Sequence, residues 1–214
     1  MAIIIASSAA WLCFDGSGLP DVRSMRGLVE PVTVPISVEC LSGHPVVIPY
    51  ESLGANARYA LAAAVAPEDG PSVLAAVRNR NGGSSSAMFV SRRILCREEK
   101  PLLRSIDEIR TAIQLERRYS KQDLFTMLAN SAYFGDGIVG IEAASLHYFQ
   151  KHSQELHIEE AALLAGLISR PNYFSPIAHP DRAFTRRNQV IEMMLQKKFI
   201  TPTDASLAET APFP

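Results

Sequence analysis

The chain has 214 residues, 47% hydrophobic and 20% charged, which suits one globular domain with a buried core. Its 21 Lys and Arg against 22 Asp and Glu give a formal net charge of −1. That excludes the basic excess needed to hold nucleic acid by bulk electrostatics, so no nucleic-acid partner is expected.

The opening run Met1 to Phe14 (MAIIIASSAAWLCF) is apolar. It is shorter than the roughly 20 residues that span a bilayer, and no Lys or Arg precedes Arg23 to make the positive start of a signal peptide. Residues 1–15 therefore read as a truncated membrane anchor, an unusual signal or a buried segment. From residue 16 to 54 the chain is rich in Pro, Gly and β-branched residues, and VTVPISVEC and HPVVIPY predict short extended pieces leading into the domain. Cys13, Cys40 and Cys96 have no CxxC spacing and leave an odd thiol however they pair, which argues for free thiols rather than zinc ligands or a disulfide framework.

A helical domain is predicted over 55–200. Ala55 to Val65 is an Ala/Leu-rich helix stopped by Pro67, with Glu68-Asp69 directly after it. NRNGGSSS, Asn79 to Ser86, reads as a loop. Leu102, Ile106, Ile109 and Ile113 recur at helical steps, predicting a central helix from about Leu102 to Arg118 with those isoleucines buried. Ser120 with Asp123 forms a capping-box pattern ahead of Leu124, Met127 and Leu128. YFGDGIVG, Tyr133 to Gly140, breaks that helix, since its three glycines suit backbone with φ above zero. Further helices are predicted at Ile141 to Phe149, Ile158 to Ile168 and Asp181 to Phe199, and residues 201–214 read as a C-terminal tail. The fold class is mainly α with a small extended N-terminal segment.

Between Leu103 and Met194 this order of segments resembles one family closely. LLRSIDEI resembles an RKxxE motif, LERRYSKQDLFTMLAN the stretch containing KxxILExYLN, and YFGDGIVGIEAASLHYF, EEAALLAGLISRPNYFSP and HPDRAFTRRNQVIEMM follow in order. The family is the peptidoglycan glycosyltransferases of family 51, whose domains are lysozyme-like and polymerise lipid II into glycan. IPYESLGANARYALAAAVAPED, Ile48 to Asp69, resembles the lead-in to its catalytic Glu-Asp pair. Beyond that pair the chain departs. An aromatic segment and a His-x-Gly-x-Asp element are missing, and the GGSTxTQQ motif survives as Gly82, Gly83, Ser84 and Ser85, with Met88-Phe89 in place of two glutamines.

The resemblance implies that Glu68 is the base that takes the acceptor hydroxyl proton, and that Glu108 sits near the leaving diphosphate and any bound divalent cation such as Mg. Taken alone, Pro-Glu-Asp-Gly is also an ordinary turn, and Glu108 is also the i+4 partner of Arg104. The resemblance further implies substrate contacts from Gly82, Gly83, Ser84, Ser85, Arg104, Lys121, Asn130 and Arg187, with Arg104 and Glu108 on one cleft wall and the Gly82 to Ser85 loop on the other. Ser105 replaces the motif lysine and Thr126 a motif glutamate. Two functions follow. One is lipid II polymerisation at the outer face of the bacterial cytoplasmic membrane. The other is a degenerate homologue that binds lipid II, glycan or a cell-wall synthesis partner without turnover.

Overall fold

The computed structural model describes residues 46–68, 72–73, 85–95 and 101–212, with the backbone alone for 93–95 and 101–105. The predicted membrane or signal segment, the pieces before residue 46, all three cysteines, Gly82, Gly83 and Ser84 lie outside the described residues. Within them the chain is helical, and α2 and α8 join the helices that its sequence predicts: α1 (Ala55–Ala64), α2 (Ser86–Leu95), α3 (Pro101–Arg118), α4 (Lys121–Ser131), α5 (Ile141–Phe149), α6 (Ile158–Leu167), α7 (Pro180–Gln196) and α8 (Pro202–Thr210).

The centre is α6, in which every residue from Ala161 to Leu167 is buried. Such a helix is apolar on all sides and must be enclosed by others; α1 and α7 pack against it. The sequence places α3 at the centre instead, and there the structure corrects it. Ile113 is buried and Ile109 is half-buried, but Ile106 is 41% exposed. The inward side of α3 carries Glu108, Thr111, Ala112 and Leu115. This set recurs at steps of three and four, on a side of the helix turned away from the isoleucine stripe.

Ser120 caps α4 with the predicted box, its hydroxyl accepting from the Asp123 N–H at 3.1 Å while Asp123 accepts from the Ser120 N–H at 2.9 Å. The loop that ends α4 takes φ of +95° at Gly135, +77° at Gly137 and +91° at Gly140, values that glycine alone adopts without a Cβ clash. The predicted tail is α8. Thr201 and Asp204 form its capping box, Pro202 stands in the first turn, and Ala205 and Ala208 are buried.

Among the described residues the lead-in forms no strand; only the single bridge Tyr133–Val139 pairs in β fashion. The backbone of Ile48 bonds to a side chain instead. The fully buried Asn130 accepts the Ile48 N–H at 3.2 Å and donates to the Ile48 carbonyl at 2.9 Å, doing with one amide what a neighbouring strand would do. Arg187, also buried, donates to the carbonyls of Glu209 at 3.0 Å and Ala211 at 3.2 Å, fastening the end of α8. Both were expected at the substrate. The structure gives each a place inside the scaffold.

Asn130→Ala should therefore lower stability in chemical denaturation by about 2–4 kcal/mol, since it strips both Ile48 groups of their partner. A second expectation concerns the first turn of α5, where Glu142 accepts the Ser153 N–H at 3.0 Å and meets His152 Nδ1 at 2.6 Å. Burial pushes the Glu142 carboxyl up, but the hydrogen bonds from Ser153 and His152 outweigh it and hold it below its ordinary 4.5. The hydrogen bond to Glu142 raises His152 above its ordinary 6.5. The His152 contribution is complete below the unfolded value and is lost as pH rises through the raised folded value, whereas that of Glu142 is lost as pH falls through its lowered one. The stability gap between wild type and His152→Ala should be widest between the ordinary values of the two groups, 4.5 and 6.5, and should narrow as pH rises above that range.

Candidate active site

The end of α1 fixes where Glu68 emerges. Lys197 reaches across to the terminal carbonyls of α1, donating to Ala62 at 2.9 Å and Ala63 at 3.2 Å. A cation is favoured at that end of a helix. The chain then turns through Pro67 to Glu68, whose carboxylate accepts a hydrogen bond from the Tyr50 hydroxyl. Arg58 Nη1 donates to the same Tyr50 oxygen at 2.7 Å, and its guanidinium lies 5.1 Å from the centre of the ring. Burial, followed by the bond to Glu68, raises the Tyr50 hydroxyl above its ordinary 10.0, so it remains a protonated donor at neutral pH.

Glu68 borders a cavity of about 300 Å³. Facing residues come from three directions: Ser85, Ser86 and Ala87 at the start of α2; Ile113, Glu116 and Arg117 on α3; and Tyr119, Lys121 and Leu124 around the start of α4. Ser85 is buried and caps α2, its hydroxyl accepting the Met88 N–H at 3.2 Å. Met88 and Phe89, which stand where two glutamines are expected, pack against the core.

Three of the predicted site residues, Glu68, Ser85 and Lys121, therefore meet at one cavity. Glu108 lies elsewhere on α3, buried, with Arg92 Nε 3.1 Å from its carboxylate. The α3 wall of this cavity consists of Ile113, Glu116 and Arg117, where Arg104 and Glu108 were expected. The Arg104 side chain is outside the described residues. Among the described residues no group of three or more His, Cys, Asp or Glu side chains is arranged to hold a metal.

Glu116, Tyr50 and Arg58 are site residues that sequence reasoning missed. Glu116 had a signal, since Ile113, Glu116 and Arg117 share a helical face at steps of three and four. Tyr50 had none. Nothing in a sequence connects it with a glutamate 18 residues away.

The sequence pattern described as "Transglycosylase" matches residues 67–195, more than half of the chain, beginning just before Glu68 and enclosing most of the cavity wall. The chain belongs to the transglycosylase family. Among its relatives, penicillin-binding protein 1A of Aquifex aeolicus (strain VF5) is 39% identical over 131 residues, which is 61% of this chain and 18% of that protein. Penicillin-binding protein 1F of Bacillus subtilis (strain 168) is 39% identical over 128 residues, 60% of this chain and 18% of that protein. The matched part thus spans less than a fifth of the length of either relative. A solved structure, penicillin-binding protein 1A from Haemophilus influenzae, shares 24% identity with a TM-score of 0.43, covering 60% of this chain and 16% of that one.

If Tyr50 holds this transglycosylase-family glutamate in place, Tyr50→Phe should lower kcat by about 10- to 100-fold while the melting temperature stays near wild type. Steady-state kinetics of glycan formation beside a thermal melt would check it.

Proposed function

We propose that the chain is a peptidoglycan glycosyltransferase domain that extends glycan strands from lipid II by inverting transfer, with diphosphate as the leaving group. The observation that carries this reading is Glu68, oriented by the Tyr50 hydroxyl at the edge of a cavity whose other walls supply Lys121 and Arg117. Glu68 accepts the proton of the acceptor hydroxyl as that oxygen bonds to the anomeric carbon of the donor sugar. The bond from that carbon to the diphosphate oxygen breaks, and its electron pair leaves with the diphosphate. Lys121 and Arg117 offset the charge that gathers on the departing group. The anomeric carbon passes through oxocarbenium character, as in glycoside hydrolysis. The proton then leaves Glu68 for solvent.

The partners are lipid II and the nascent glycan strand, with other cell-wall synthesis proteins in reach, at the outer face of the bacterial cytoplasmic membrane. Among the described residues no helix is long and apolar enough to cross a membrane. In domain terms, residues 1–15 are the candidate anchor or signal, 16–54 the lead-in, which contributes Tyr50, and the helical body from 55 onward carries the rest of the site.

Glu68→Gln keeps the shape of the side chain and removes the base, so turnover of labelled lipid II should fall by about 10²- to 10⁴-fold with lipid II binding retained. Polymer formation at the wild-type rate by this variant would overturn the role given to Glu68. Binding of lipid II by the wild-type chain without polymer would support a binding homologue instead.

A further inference from the structure

We propose that Glu116 is a positioning residue for Glu68, tying the chain just beyond it to the last turn of α3. This rests on the reading of Glu68 as the base. Both Glu116 carboxylate oxygens lie 2.9 Å from the backbone nitrogen of Val73 and accept its N–H. Val73 is 1% exposed, so that amide has little recourse to solvent if the carboxylate is removed. It follows Glu68 by five residues, and both Glu68 and Glu116 border the same cavity.

Glu68 is thereby held from two sides. Before it, Tyr50 bonds to the carboxylate itself; after it, Glu116 anchors the backbone. A reacting group displaced by about 1 Å loses on the order of 100-fold in rate, so an anchor this close controls the reaction without touching substrate. Burial raises the proton affinity of the Glu116 carboxyl, a cost of keeping a charged group there that the Val73 N–H and Lys121 partly offset. The bond to Val73, rather than charge in the cavity, is what this glutamate contributes. Its amide counterpart should serve nearly as well.

Two variants separate position from charge. Glu116→Gln keeps an acceptor oxygen for Val73, whereas Glu116→Ala removes it. The expected result is kcat for labelled lipid II lowered by about 10- to 100-fold in the alanine variant with KM changed by less than about threefold, and near-wild-type kcat in the glutamine variant. In parallel, hydrogen exchange at the Val73 amide should be at least about tenfold faster in Glu116→Ala and close to wild type in Glu116→Gln. Equal loss of kcat in both variants would overturn the proposal, because charge would then be what matters; so would unchanged Val73 exchange in Glu116→Ala. If the wild-type chain forms no polymer, the proposed function fails, while the exchange measurement still decides whether Glu116 anchors the chain beyond Glu68.

Discussion

The burial of α6 on every side is the constraint from which the site follows. From Ala161 to Leu167 this helix offers only apolar side chains and one glycine to its surroundings, so it needs neighbours all around it. The first helix and α7 provide them, and the small side chains let α7 approach closely. A Cβ at Gly166 would stand 2.9 Å from the Arg186 side chain. With α1 and α7 both seated on α6, Lys197 just beyond α7 reaches the terminal carbonyls of α1. The chain leaves α1 there and turns to Glu68. The position of the proposed base is thus set by the packing of the helix just before it in the chain against two helices far beyond it in sequence.

Polar groups buried outside the cavity have a different task. Asn130 stands in for a strand beside Ile48, and Arg187 collects the last carbonyls around α8, each replacing hydrogen bonds that water would otherwise make. Thr126 illustrates the same logic at a position where a motif glutamate is expected. It is fully buried, and its hydroxyl donates to the Gln122 carbonyl one helical turn back at 2.8 Å. A carboxylate there would need a partner to offset its desolvation, whereas threonine satisfies itself locally. The substitution therefore leaves α4 intact, whatever it changes at the substrate.

Most of the helices were legible because their signals are local. Ser120 with Asp123 and the glycines of the loop after α4 each act within a few residues, and the structure places α4 and its end where those signals predict. The eighth helix carried the same kind of signal in Thr201, Pro202 and Asp204, and reading it as a tail overlooked a capping box with proline in the first turn. Which side of α3 faces inward was not legible in that way. An 18-residue helix with apolar residues on two sides is rolled by its neighbours, and its periodicity alone favoured the isoleucine stripe over the set that includes Thr111, Ala112 and Leu115.

The site divides along the same line. Glu68, Ser85 and Lys121 were found through motif resemblance, which preserves the order of residues along the chain. Tyr50 and Glu116 act on the Glu68 segment from 18 and 43 residues away from their partners, Glu68 and Val73. Their contributions are geometric: a hydroxyl that orients a carboxylate, and a carboxylate that holds a backbone amide. Neither needs the residue types by which catalytic motifs are recognised. Where the segment after the proposed base is shortened, as the sequence of this chain indicates, its support has to come from other contacts. An anchor on the neighbouring helix and a donor on the lead-in supply it here.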